Sequence, residues 1–310
     1  MGLGIVWLMM GLALLYFGSC LLVDGAASTA VMFAVRPVVV GLTVVSLATS
    51  APELLISLIA AVQGSSGISM GNILGSNVIN IALVLGASAV IRPVSVNKQV
   101  VRVEIPYMIG VSALFWLLCL DNEVGQIDGM VLLTLLGVFL IYGIITAGNH
   151  KKNVSETPKK STRQLLVYAV YVVAGLGMLA GGSNLVVTQA VAMAEAIGLS
   201  QTFIGISVVA LGTSLPELAT SVVAAARGES DISVGNVVGS NLFNICLVMG
   251  VVGLLNPLAV EPGLHWFEFP FMVFLSLVLG GMTLKCHGVG KRGGMLFIAL
   301  FFLYIGISYV

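Results

Sequence analysis

Gly41-Leu-Thr-Val-Val-Ser-Leu-Ala-Thr-Ser-Ala-Pro-Glu53 returns, gap-free and 164 positions later, as Gly205-Ile-Ser-Val-Val-Ala-Leu-Gly-Thr-Ser-Leu-Pro-Glu217. The same offset aligns Ile68-Ser-Met-Gly-Asn-Ile-Leu-Gly-Ser-Asn-Val-Ile-Asn80 with Ile232-Ser-Val-Gly-Asn-Val-Val-Gly-Ser-Asn-Leu-Phe-Asn244, and Gly18-Ser19 with Gly182-Ser183. The chain is therefore an internal duplication, and each copy carries a proline followed by a glutamate inside an apolar stretch.

The stretches around these motifs are membrane material. Of 310 residues 58% are hydrophobic and 8% charged, with a mean hydropathy of +1.11. A water-soluble domain carries about a quarter charged residues. About 20 apolar residues cross a hydrocarbon core, and ten such spans are predicted: 3–23, 37–62, 69–91, 104–120, 127–147, 164–182, 200–226, 232–254, 264–284 and 293–310. The fold expected is an all-α polytopic membrane protein of two five-helix repeats, 1–147 and 164–310, joined by a linker at 148–163. Ala26 to Ala30 resembles a signal-peptidase site, but the start of the chain lacks basic residues and the repeat gives the first span a partner, so it is kept as helix 1.

An odd number of spans per copy turns the second copy over, giving an inverted repeat. Charge supports the count. With ten spans, all 13 Lys and Arg fall on one side: Arg36, Arg92, Lys98, Arg102, Lys151, Lys152, Lys159, Lys160, Arg163, Arg227, Lys285, Lys291 and Arg292. Asp121, Glu123, Asp128, Glu195, Glu261 and Glu268 fall on the other. Basic loops stay cytoplasmic, so the linker is expected inside and both termini outside.

Proline lacks the amide hydrogen that a helix uses and displaces the carbonyl four residues back. Pro52 and Pro216 therefore free the carbonyls of Ala48 and Gly212, which in a membrane must be satisfied or must line a wet cavity. A mid-span carboxylate costs about 2.5 to 3.5 kcal/mol or more unless it faces the interior. Thr49, Glu53 and Ser57 lie one helical turn apart, as do Thr213, Glu217 and Ser221; Asn72, Ser76 and Asn80 repeat that spacing, as do Asn236, Ser240 and Asn244. Asn77 and Asn241 point about 100° away, toward bonds between helices.

Two glutamates among hydroxyls, amides and carbonyls make an all-oxygen site. Calcium takes six to eight oxygens at about 2.3 to 2.6 Å, whereas zinc and copper favour histidine and cysteine. His150, His265, His287 and the four cysteines are scattered without ligand spacing. Sodium can use the same carboxylates, protons should compete for them, and magnesium sheds its water too reluctantly. A single Thr-Ser-x-Pro-Glu is compatible with a structural kink; two, each followed by Gly-Asn-x-x-Gly-Ser-Asn-x-x-Asn, argue for a site. Helices 1, 4, 5, 6, 9 and 10 read as lipid-facing or packing surface, and Asp24 and Glu104 stand near span ends where a part in the ion path is open.

At these segments the chain resembles the cation/calcium exchanger superfamily, in its prokaryotic sodium/calcium exchanger branch, along essentially its whole length. The resemblance implies that Glu53 and Glu217 coordinate calcium, with Thr49, Thr213 and the backbone carbonyls of Ser46 and Ala210. It assigns Ser50, Ser214, Ser76 and Ser240 to flanking sodium sites, and Asn80 and Asn244 to the central region. It further implies calcium export against an inward sodium gradient, electrogenic, by alternating access as helices 1 and 6 slide, in the cell membrane, by a sufficient monomer and without ATP or an organic cofactor. Two residues depart from the pattern. Ala48 stands opposite Gly212, and Asn244 stands where relatives often carry aspartate, which argues against potassium co-transport. A proton/calcium antiporter of the same superfamily and a passive cation channel are the alternatives; a membrane enzyme lacks a nucleophile or base beside the carboxylates.

Overall fold

The computed structural model describes residues 2–152, 162–196 and 210–308. Twelve helices are named here: α1 Gly2–Phe33, α2 Pro37–Thr49, α3 Ala51–Val62, α4 Ser66–Ile91, α5 Val100–Asp121, α6 Gln126–Lys152, α7 Thr162–Ala196, α8 Ala210–Thr213, α9 Leu215–Arg227, α10 Ser230–Leu255, α11 Glu268–Cys286 and α12 Lys291–Ser308. Among the described residues, eight helices are long and apolar enough to cross a membrane, and α2 with α3, bent by 41°, makes a ninth candidate. The protein is thus an all-helical, polytopic membrane protein. The span expected at 200–226 is described only from Ala210 onward.

Several helices outrun their apolar segments. Helix α1 continues to Phe33, ten residues past the expected end, with Ala26 and Ala30 fully buried in it. Helix α6 continues to Lys152, five residues past the expected end of its span at Ala147. Hydropathy marks the thickness of hydrocarbon, while helix propagation adds a hydrogen bond per residue on either side of it. Helices α3 and α9 stop at matching glycines: Gly64 (φ 74°) and Gly228 (φ 88°) take the left-handed conformation. The next amides, Ser65 and Glu229, then reach back to the carbonyls of Ala60 and Ala224 at 2.8 Å.

The outer pair, α1 and α7, runs antiparallel along a glycine seam. A Cβ on Gly11 would lie 3.0 Å from the Gly182 carbonyl oxygen, and one on Gly18 would lie 2.9 Å from that of Gly175. Glycines seven apart on each helix meet in this order, so the backbones touch and dispersion holds them. In the centre, α10 lies against α2, where a Cβ on Gly235 would sit 2.8 Å from the Val38 carbonyl oxygen. A Cβ on Gly239 would sit 2.8 Å from the Leu42 carbonyl oxygen, again leaving no room for a side chain.

Among the described residues, four two-residue strands clasp the ends. β1 (Val94–Ser95) pairs antiparallel with β4 (Gly288–Val289), and β2 (Glu123–Val124) with β3 (Leu258–Ala259). β1 and β3 are 164 positions apart, so each half lends one strand to the other at both ends. The first clasp joins the basic loops around Lys98 and Lys291, and the second joins the acidic loops around Glu123 and Glu261, which matches the charge sorting expected from sequence.

Candidate functional site

Ser50 (φ −81°, ψ 2°) and Ser214 (φ −87°, ψ 6°) separate α2 from α3 and α8 from α9. The chain does not bend through a continuous helix; it ends one and begins another. Pro52 and Pro216 then sit in the first turn of α3 and α9, where no amide hydrogen is required. Glu53 and Glu217 occupy the same first turns, where the positive end of the helix dipole favours a negative charge.

Both glutamates are fully buried. The hydroxyls of Ser214, Thr213 and Ser76 approach the Glu53 carboxylate, and those of Thr49 and Ser50 approach that of Glu217. Each acid therefore faces the break in the other half, and the two are near enough to sense each other's charge. Proximity does not become hydrogen bonding: among the described residues, none of the four carboxylate oxygens has a hydrogen-bond partner. The amide oxygens of Asn80 and Asn244 are equally buried and equally without a partner. Six acceptor oxygens without donors are a costly set to bury, and a cation is a kind of ligand suited to such acceptors.

The surrounding polar groups are tied within and across the halves, mostly in matched pairs. Thr49 Oγ1 donates to Asn236 Oδ1 at 3.2 Å, and Thr213 Oγ1 to Asn72 Oδ1 at 3.4 Å. Asn72 Nδ2 donates to Ser57 Oγ at 2.9 Å, and Asn236 Nδ2 to Ser221 Oγ at 2.9 Å. Thr49 and Ser240 hydroxyls lie 3.4 Å apart, and Ser214 Oγ donates to Ser76 Oγ at 3.3 Å. Asn77 and Asn241 bridge helices as their angle suggested, accepting at Oδ1 from Nδ2 of Asn244 and Asn80 at 3.2 Å. Local π-helical turns at Asn80–Leu85 and Phe243–Met249 adjust the facing of these segments; π-turns of this kind recur at functional sites.

Backbone carbonyls at the breaks meet protein donors. The carbonyl freed by Pro216 is satisfied from a neighbouring helix, as one of the two outcomes expected for it: Ser183 Oγ donates to Gly212 O at 2.7 Å. The equivalent Ser19 instead bonds within its own helix, to Leu15 O at 2.6 Å. Ser46 O accepts from Ser50 N at 2.9 Å and Thr49 Oγ1 at 3.4 Å; its hydroxyl donates to Gly41 O at 2.5 Å and lies 3.3 Å from the carbonyl oxygens of Gly235 and Asn236. Ala210 opens α8. A cavity of about 750 Å³, walled by Ala48, Thr49, Ser183, Gly212, Thr213 and Pro216 among others, lies between α7 and the two breaks. Asp24 and Glu104, left open by sequence, are paired with arginines: Asp24 with Arg227, and Glu104 with Arg36 at 3.7 Å.

Comparison with known proteins agrees with this geometry. The profile of the sodium/calcium exchanger protein family matches residues 3–145 and 167–310. The chain is 33% identical over 314 residues to the putative antiporter CaxA of Alkalimonas amylolytica, covering 98% of this chain and 97% of that one. It is 31% identical over 310 residues to the sodium/calcium exchanger MaX1 of Methanosarcina acetivorans, covering 88% and 89%. The fold superposes with a TM-score of 0.86 on a solved structure of the sodium-calcium exchanger NCX_Mj, at 35% identity and 98% coverage of both chains.

Proposed function

The chain belongs to the sodium/calcium exchanger protein family, within the cation/calcium exchanger superfamily, and from that premise we propose that it exports calcium in exchange for sodium by alternating access. One observation carries the reading: two buried glutamates whose carboxylate oxygens have no hydrogen-bond partner among the described residues, each facing the helix break of the opposite half. Glu53 and Glu217 hold calcium, assisted by Thr49, Thr213 and the carbonyls of Ser46 and Ala210. Ser50, Ser214, Ser76 and Ser240 serve sodium, and Asn80 and Asn244 complete the centre. Sodium at the carboxylates excludes calcium, and that exclusion couples the two movements; protons compete for the same oxygens.

In this reading the halves, 1–147 and 164–310, are inverted five-helix repeats, ten spans in all, with the 148–163 linker in the cytoplasm and both termini outside the cell membrane. Its support is that α1 and α7, equivalent in sequence, run antiparallel, and that the strand clasps sort basic loops from acidic ones. The chain is a transporter with no catalytic step and no organic cofactor, and one copy suffices.

The test is calcium uptake into proteoliposomes with membrane potential clamped. Uptake is expected with an outward sodium gradient, faster when the interior is held positive, because more charge leaves as sodium than enters as calcium. Uptake driven by a pH gradient without sodium, or flux needing no counter-ion, overturns the sodium-coupled reading.

A further inference from the structure

Two methionines on helices read as packing surface head hydrogen-bond chains that end at Asn244 and Asn80. Asn77 Nδ2 donates to Met272 Sδ at 3.6 Å, Asn244 Nδ2 donates to Asn77 Oδ1 at 3.2 Å, and Asn244 Oδ1 is left over. The second chain exchanges the halves: Asn241 Nδ2 donates to Met108 Sδ at 3.6 Å, Asn80 Nδ2 donates to Asn241 Oδ1 at 3.2 Å, and Asn80 Oδ1 is left over. All six side chains are at most 1% exposed, so bulk water offers no substitute partner. Met108 and Met272 are themselves 164 positions apart.

The two ends of a carboxamide have nearly the same shape, so packing alone scarcely distinguishes oxygen from NH2; hydrogen-bond partners decide. A thioether has lone pairs and no proton, so it only accepts. The sulfur therefore draws the NH2 of Asn77 toward itself. That leaves Asn77 Oδ1 as an acceptor, which fixes the NH2 of Asn244, which leaves Asn244 Oδ1 for the site. Each chain reverses as a whole or not at all, since turning one amide sets two oxygens or two NH2 groups head to head. Asn80 stands one turn beyond Ser76, whose hydroxyl approaches Glu53, and Asn244 one turn beyond Ser240, which contacts Thr49.

We propose that Met108 and Met272 are positioning residues that set the polarity of these amides, so that Asn80 and Asn244 present oxygen, and not NH2, to the transported cation. The proposal rests on the antiporter reading of the site. A reversed chain would turn hydrogens toward a cation and would offer the glutamates internal donors that compete with it. The thioethers keep the site from satisfying itself.

The experiment is a double-mutant cycle read by calcium titration and sodium competition on the purified full chain: wild type, Met272→Leu, Asn244→Asp and the two combined. Leucine keeps the volume and removes the acceptor. Met272→Leu is expected to weaken calcium binding or sodium competition by about tenfold. At Asn244→Asp both side-chain oxygens accept, so polarity at that position has no meaning, and adding Met272→Leu should change affinity by less than about twofold. An equal effect in both backgrounds means that the sulfur acts by packing and overturns the proposal, as does no effect in either. Met108→Leu with Asn80→Asp runs the same cycle through the other chain if Met272→Leu does not fold. A wild type that binds no calcium sinks the antiporter reading and this proposal together; normal wild-type binding with indifferent methionine variants sinks this proposal alone.

Discussion

The inner helices α4 and α10 and the outer helices α1 and α7 are equally apolar by sequence, yet they are held by different forces. Each inner span has 83% of its apolar window buried, against 28% for α1 and 17% for α7. The inner pair is crossed by directional bonds from Asn72, Asn77, Asn236 and Asn241, each reaching another segment. The outer pair is joined along glycines; its polar ties to other helices, among the described residues, are a side-chain bond from α7 to α8 and Arg227 of α9 reaching Asp24 and the Cys20 carbonyl of α1. Directional bonds specify a geometry; contacts between smooth backbones specify only a distance. A site that must place oxygens accurately is built on the first kind, and the second kind leaves a surface along which displacement costs little.

The largest expected effect lies at the inner centre. Glu53→Gln or Glu217→Gln should lower calcium affinity by at least about a hundredfold, because removing one partner of a buried charge pair costs about 3 to 5 kcal/mol. The same variants should leave the ion-free protein no less stable, since each removes an unpaired buried carboxylate. Calcium titration and thermal unfolding of the purified proteins measure both. Loss of folding in either variant would break the contrast, making the acids structural members of the inner core.

A smaller effect is expected at the seam. Gly18→Leu and Gly182→Leu push apart backbones already in contact and should destabilise by about 1 to 3 kcal/mol, and calcium exchange should fall more than calcium binding. If binding falls in step with exchange, the outer pair shapes the site directly. The smallest separates equivalent serines. Ser183→Ala removes the donor to the Gly212 carbonyl and should cost about 1 to 2 kcal/mol, while Ser19→Ala, which breaks a bond within one helix, should stay within about 0.5 kcal/mol. Equal costs in thermal unfolding would erase the difference between the halves at this point.

Much of the site was legible because it was written twice. Thr-Ser-x-Pro-Glu in two copies named the acids, the breaks and the hydroxyl stripes, and the structure brings Glu53, Glu217, Thr49, Thr213, Ser50, Ser214 and Ser76 together across the halves. The facing of Asn77 and Asn241 followed from the helical angle. Met108 and Met272 were not legible, since a methionine on an apolar helix has the same pattern whether its sulfur packs or accepts a bond; their matching offset was the one available signal. Ser183 was seen only as a repeat marker, because nothing in sequence says which helix lies beside the Gly212 carbonyl. Helix ends past Val23 and Ala147 were missed for the reason that hydropathy reports the solvent and not the backbone. The π-turns at Asn80 and Phe243 leave no residue signature at all.

The strand clasps have a consequence for assembly. Each half carries, at either rim, a short open edge whose backbone groups find their complement only in the other half, so neither closes its own rims. The molecule is in effect a dimer written on one polypeptide, and the two pieces made by dividing the gene between them should seek each other out and stay together.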